Sequence, residues 1–474
     1  MCIMSTRFVS VDRQSPILMP PSLQEWLPEA HIARFIVEIA EGLPLSAFKV
    51  NWKGTGSAQF PPSMMLALLV YCYATGRFSS RIIEDATYTD VAVRFISGDT
   101  HPDHDTICAF RRENRHAFRQ AFVKVLAIAG QSGLVRKVGG ISVDGTKIKA
   151  NASKHAAVSY ERAGQLIERL ALEVEQLERK AEEADSVPLD DGLSIGEEIV
   201  RRQDRKASLE RARQVIEERY EQERRTAQQE YEKKMAEREA KRKQPKGKRP
   251  RGKDPKPPPE TPPGNRQHNF TDPQSSIMKA GNGKHFEQAY NAQAGVDTEG
   301  SMMILGCRVS VNPNDKEELE PTVSSVESSA RTPSYILADS GFFSEQQVAA
   351  VQGNGGPTVY AATGKKKHGR TVADLEKRED SPAPPEGTSL TERMRHRLST
   401  REGREKYKAR KYTVEPVFGI IKQAMNFRQF HLRGHPKVES EWQLVCLAYN
   451  FRRLFTLTVG PGGRGFFRKA VARA

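Results

Sequence analysis

The stretch ISVDGTKIKANAS, residues 141–153, reads as a β-strand that delivers a carboxylate. Ile141, Val143 and Ile148 supply apolar content, Thr146 is β-permissive, and the strand ends at the turn-like pair Asp144-Gly145. A second segment, ILADSGFF at 336–343, repeats the design, with Ile336, Leu337 and Ala338 leading to Asp339. A third, YTVEPVFGIIK at 412–422, reads as a helix opened near Thr413, with Glu415 in its first turn and Pro416 behind it. Taken singly, Asp-Gly and Asp-Ser-Gly suit ordinary turns, and Glu415 suits the positive end of a helix dipole. Taken together, carboxylates at strand ends are positioned by a sheet and open toward substrate. Hard, oxygen-preferring Mg²⁺ is held by such groups.

Toward the N-terminus, residues 22–133 carry helical periodicity, with Met64, Leu68 and Tyr71 on one face and Ile107, Phe110, Phe118, Phe122 and Val125 on another. Pro61 and Pro62 suit the opening of one helix, and Asp105 or Thr106 the capping of the next. Arg111, Arg112, Arg115 and Arg119 decorate that second helix, either as a solvated face or as a phosphate-gripping surface. His101, Asp103, His104 and Asp105 resemble a ligand cluster, but the helix start beside them favours loop and cap roles.

On the other side, residues 160–184 place Ile167, Leu170, Val174, Leu177, Ala181 and Ala184 at spacings of three and four, the stripe of a coiled coil or helical hairpin. Pro188 and Gly192 break it, and a second long helix runs from Ser194 to about Lys241. Residues 241–256 hold nine Lys or Arg and residues 245–263 eight prolines, the composition of a flexible basic linker, either a DNA tether or a solvated spacer. Strands are then expected over 289–296, 302–311, 335–339 and 358–362, and a helix over 315–329. A polar surface excursion over 364–405 and helices over 413–426 and 442–455 complete the pattern.

The chain has 474 residues, more than one core usually supports. With 74 Lys plus Arg against 59 Asp plus Glu, its net charge of +15 suits a polyanionic partner. Its most apolar window, 64–73, is half a membrane span, so no membrane partner is expected. Cys2, Cys72, Cys108, Cys307 and Cys446 have no paired spacing, which fits a reducing cytoplasm.

The three acid segments, together with PPSMMLALLVYCYATGRFSSRIIEDATYTDVAVRF (61–95), HPDHDTICAFRR (101–112) and YNAQAGVD (290–297), resemble the DDE transposases of bacterial insertion sequences. The resemblance implies an α/β ribonuclease-H-like catalytic domain over 136–155 and 285–458. It would carry a helical DNA-binding domain over 1–135, a long helical coiled-coil insertion over 156–243, a basic Pro-rich linker over 244–284 and a tail over 459–474. It implies Asp144, Asp339 and Glu415 as catalytic and metal-binding acids, separated by 195 and 76 residues, holding Mg²⁺ or Mn²⁺ as two ions. Lys422 corresponds to the family's basic residue after the Glu. Tyr407, Arg410 and Lys411 precede the Glu out of the family's usual register. Lys422, Lys147, Arg111, Arg112, Arg115, Arg428 and Arg433 are the expected DNA contacts. The implied activity is binding of terminal inverted repeats on double-stranded DNA, strand cleavage at the element ends and joining of 3′-hydroxyls to target DNA, by a homodimer in the bacterial cytoplasm. Two other readings keep part of this: a ribonuclease-H-like nuclease without strand transfer, and a non-catalytic DNA-binding scaffold.

Overall fold

The computed structural model describes residues 22–43, 46, 48–51, 58–184, 195–243, 254–280, 283, 285–364, 380, 382–385 and 387–459. Six helices lead the chain: α1 (Ile32–Glu41), α2 (Pro62–Ala74), α3 (Ser80–Thr89), α4 (Val91–Ser97), α5 (His104–Glu113) and α6 (Arg115–Gln131). Helix α2 begins on Pro62, where the missing N–H costs no helical bond, and every residue from Met65 to Ala74 is buried. Such a helix, apolar all round, belongs in an interior. Helix α5 is capped not by Asp105 or Thr106 but by Asp103, whose carboxylate accepts from the Thr106 amide at 2.6 Å.

The sheet is built from β1 (Val138–Lys149), β4 (Ser276–Lys279), β5 (Phe286–Asp297), β6 (Ile304–Ser310), β7 (Thr332–Ala338) and β8 (Thr358–Ala361). Strand β5 runs antiparallel to β1, pairing Ile141 with Asp297 and Lys149 with Ala289. Its other edge is shared, β4 taking residues 286–289 and β6 taking most of 291–296. On the far side of β1, β7 is parallel, with Ser142 opposite Leu337, and β8 is parallel to β7. Strand β1 does not end at Asp144 as the sequence suggests. It continues to Lys149, because Gly145–Lys149 still find partners on β5 and the loop at 428–430 bonds Lys149 through both its backbone groups.

Two further expectations are corrected. The helix expected over 315–329 is only α9 (Leu319–Ser324), preceded by a loop that Glu318 organises through Ser310 and Asn312. Within the excursion expected over 364–405, helices form at Leu390–Ser399 and Arg401–Lys408. Ser389 and Thr400 cap them, and Met394 is buried, so local capping and one apolar anchor suffice in a polar stretch. Residues 365–379 lie outside the described set.

The last helix, His435–Thr458, joins the two halves. Trp442 donates its indole N–H to the Gln293 carbonyl, Asn450 bonds both backbone groups of Ile304, and Arg452 reaches the Ala74 carbonyl. One continuous apolar core therefore runs from Phe35 and Leu68 through Phe118 to Ile141, Ile336 and Leu447.

The insertion contains α7 (Tyr160–Ala184) and α8 (Ile195–Lys243), which pack against each other. At their root stands a small ladder of β2 (Ala157–Ser159) and β3 (Gln267–Asn269). Val158, Ala163, Leu170, Leu209 and Ala212 form a separate small core there. A linker is expected over 244–284, disordered or poorly packed as far as Pro263, yet β3 and the sheet strand β4 fall within it. Its portion 254–264 instead lies along α8, where Tyr220 donates to the Pro259 carbonyl and Arg242 meets Asp254 at 2.8 Å. The basic residues at 244–253 lie outside the described residues.

Candidate active site

The parallel pairing of Ser142 with Leu337 sets Asp144 and Asp339, each two residues further on, side by side on neighbouring strands. Each carboxylate is held by a backbone amide close by in sequence: Gly145 N–H donates to Asp144 Oδ1 at 2.8 Å and Gly341 N–H to Asp339 Oδ1 at 2.6 Å. Burial pushes the Asp144 carboxyl up to about 7. The Gly145 amide works against this, the Asp339 and Asp315 carboxylates add to it, and Arg410 opposes it.

Glu415 reaches the same mouth from the helix Arg410–Gly419, lying in its second turn rather than its first. The connection is Arg410, whose guanidinium stands 3.6 Å from Asp144 Oδ2 and 2.9 Å from Glu415 Oε1. Glu415 keeps 49% of its side chain exposed. Tyr407, one turn before Arg410, has its hydroxyl pushed up by burial; Arg410 opposes the shift and Asp339 adds to it. The sequence register left Tyr407 and Arg410 unassigned, yet both face the acids. Ala409 separates the helix that holds Tyr407 from the one that holds Arg410 and Glu415, so linear spacing misjudges which residues share a face; past Pro416 the second helix passes into a π-helical turn, Ile420–Ala424.

That turn holds Lys422. Its ammonium donates to Thr146 Oγ1 at 2.5 Å and to the Lys147 carbonyl at 3.1 Å, tying the helix to β1. Burial lowers its pKa, as it does that of Lys147, whose Nζ stands 3.5 Å from Asp315. Asp315 is a residue that the sequence reading missed, because nothing in the polar run 312–318 marks one acid over the others.

Of the expected DNA contacts, Lys422 and Lys147 turn their ammonium groups into the chain, onto Thr146 and beside Asp315, and Arg111 is corrected. It is buried, donates to the Tyr73 hydroxyl at 2.9 Å and the Phe78 carbonyl at 3.1 Å, and has no face to offer a duplex. Its helix buries this arginine because Glu441 and Tyr73 supply polar partners inside. Arg112 is exposed beside Glu113, and Arg115 is half-buried at the start of α6. Arg428 and Arg433 are exposed, held by the carbonyls of Lys422 and Asn151.

Among the described residues no group of three or more His, Cys, Asp and Glu is placed to hold a metal ion. The donor chemistry nevertheless fits a hard cation at Asp144 and Asp339, two adjoining carboxylates of which one is pushed up by burial and like charge. Glu415 stands apart from them across Arg410.

The site thus places two acids on neighbouring parallel strands of a mixed sheet and a third on a late helix, within an α/β architecture. Residues 259–451 match the family described as Transposase DDE domain, and residues 21–113 match that described as Transposase domain (DUF772). Both are transposase families, and together the two matches indicate a DDE transposase of an insertion sequence. The first match implies a ribonuclease-H-like fold, in keeping with the order β6-β5-β1-β7-β8. It covers Asp339 and Glu415 but begins after Asp144. No curated protein and no solved structure matches the chain. No helix among the described residues is long and apolar enough to cross a membrane.

Proposed function

We propose that this chain binds the terminal inverted repeats of its element as a homodimer on paired DNA ends, cuts strands there and joins the freed 3′-hydroxyls to target DNA. The observation that carries this reading is the pair Asp144 and Asp339 on parallel strands, linked through Arg410 to Glu415. Asp144, Asp339 and Glu415 would hold Mg²⁺ or Mn²⁺, which when bound supplies activation of the attacking oxygen and stabilisation of the leaving one. Arg410 holds Glu415 at the mouth, and Tyr407 packs behind it. Lys422 keeps the helix docked on β1. Arg112, Arg115, Arg428 and Arg433, with the basic run at 241–256, grip DNA phosphate without regard to sequence. The paired helices α7 and α8 form a coiled coil that supplies contacts between copies.

The test uses one labelled element end and a target duplex, with Mg²⁺ in one reaction and Ca²⁺ in the other. Nicking at the end followed by a joined product in Mg²⁺ alone is expected. Nicking without joining of a precut end would make the chain a nuclease, and DNA binding without either would make it a scaffold.

A further inference from the structure

Asp315 sits in the loop between β6 and α9. Its Oδ1 accepts from Asn291 Nδ2 at 2.6 Å and Gln293 Nε2 at 2.9 Å, with Lys147 Nζ at 3.5 Å. Both amide side chains belong to fully buried residues of β5, where Gln293 stands opposite Gly145 and Asn291 opposite Lys147. The contact with β1 depends on Gly145 having no side chain. A Cβ there would meet Gln293 Nε2 at 2.3 Å and Asn291 Oδ1 at 2.8 Å. On the opposite flank a Cβ on Gly341 would lie 2.9 Å from Asp339 Oδ1 and 3.7 Å from Asp315 Oδ2. Asp315 is thus anchored through one oxygen and turns the other toward Asp339.

Three buried polar atoms in this cluster, Lys147 Nζ, Asn291 Oδ1 and Gln293 Oε1, have no hydrogen-bond partner among the described residues. Natural interiors rarely keep such atoms, and they concentrate where an arrangement serves chemistry. The ammonium also argues against a cation bound to Asp315 Oδ1, since two positive charges would share one oxygen.

We propose that Asp315 is a positioning residue of the cleavage site. It clamps Lys147 and the Asn291 and Gln293 amides against Gly145, and so fixes Asp144 beside Asp339 with a positive charge behind the acid pair. The inference rests on the DNA-cutting reading above. An asparagine at 315 keeps the shape but leaves the Lys147 ammonium buried without its counter-charge.

The experiment compares the full-length wild type with Asp315→Asn, Asp315→Glu, Lys147→Met and the double variant Asp315→Asn with Lys147→Met. It measures the cleavage rate at saturating DNA, DNA affinity in Ca²⁺, Mn²⁺ affinity by calorimetry and the melting temperature. Asp315→Asn is expected to cut about 10- to 100-fold more slowly with DNA affinity unchanged. The double variant is expected to be no slower than the slower single one, because the pair acts as a unit. Asp315→Glu, which retains the charge, is expected to be faster than Asp315→Asn; equal slowness would overturn the charge argument. Multiplying effects in the double variant, or a full-rate Asp315→Asn, would overturn the proposal. So would a loss of Mn²⁺ affinity in Asp315→Asn as deep as in Asp339→Asn, which would make Asp315 a ligand. If Asp315→Asn melts below the assay temperature, the Asp315→Glu and Lys147→Met rates decide by the same criteria. A wild type that binds DNA and never cuts it would defeat the functional reading instead.

Discussion

At the residue scale, Arg410 bridges Asp144 and Glu415, and the proposed roles of the acids can be tested one by one. Asp144→Ala, Asp339→Ala and Glu415→Ala should each abolish Mg²⁺-dependent cleavage and joining while gel shifts with terminal-repeat DNA persist, because the residues proposed to grip phosphate lie elsewhere. Cleavage near the wild-type rate in any one of them would remove it from the mechanism. Arg410→Ala should slow cleavage by about 10- to 100-fold, the usual cost of losing a group that orients a reacting one. Stability against pH rests on Asp144, pushed up to about 7, and on a second buried acid with the same upward shift. Glu441, buried beneath the His431 and Leu432 amides, is pushed up to about 7 by burial, against those amides and Arg111. Between the ordinary value of 4.5 and about 7, the folded chain holds a proton that the unfolded chain has released. Stability should therefore fall as pH rises through that window, by on the order of 3 kcal/mol for this group, and stay lost above it. Glu441→Gln should make the dependence of melting temperature on pH between 5 and 8 shallower, leaving the part that Asp144 contributes. A variant with the wild-type slope would assign that slope to other groups. The acids were legible as residues, since Asp144 and Asp339 close apolar runs. Asp315, Tyr407 and Arg410 were not, because their importance arises from side-chain approach across strands and helices.

At the element scale, β1 does two jobs in one run of twelve residues: its first half faces β7 and its second half continues along β5. Gly145, at the junction, shows how tightly that is built. Gly145→Ala should destabilise the chain by about 1–3 kcal/mol, as overpacking of a filled space does. It should also slow cleavage, since the displaced amides anchor Asp315 and Gly145 itself donates to Asp144. Urea unfolding of the variant beside wild type is the measurement, and an unchanged midpoint would mean that the amides yield freely. The strand was readable in the sequence from its apolar residues, but not its length. Asp-Gly looks like a turn locally, and only the partner strand 150 residues downstream keeps it extended. The helix around Glu415 was readable too, whereas its start and its π turn were not, because tertiary contacts at Thr146 and Lys147 hold the irregular turn in place.

At the scale of the whole molecule, the N-terminal helices and the sheet share one core through the helix His435–Thr458. Trp442, fully buried against Phe418 and Phe427, sits at its centre. Trp442→Ala should cost about 3–5 kcal/mol and lower the melting of both halves together in one calorimetric transition. Separate transitions would show that the halves unfold independently. The sequence suggested separate helical and catalytic units because its pattern changes near 136, and periodicity carries no information on which units share a core. The insertion was visible as two long polar helices. The support that 254–264 gives to α8 was hidden, since proline-rich composition speaks only against regular structure.

The two insertion helices are unequal, 25 residues against 49, or about 38 Å against about 74 Å at the usual rise. The longer helix is therefore a boom whose outer half extends well past its companion. Its pivot is the handful of small and branched side chains around Val158 and Ala212, set just after the strand that carries Asp144. A tilt of a few degrees at that fulcrum sweeps the tip by several ångströms. Any such tilt would have to carry residues 254–264 with it, since Tyr220, Arg224 and Arg242 bind them along the boom.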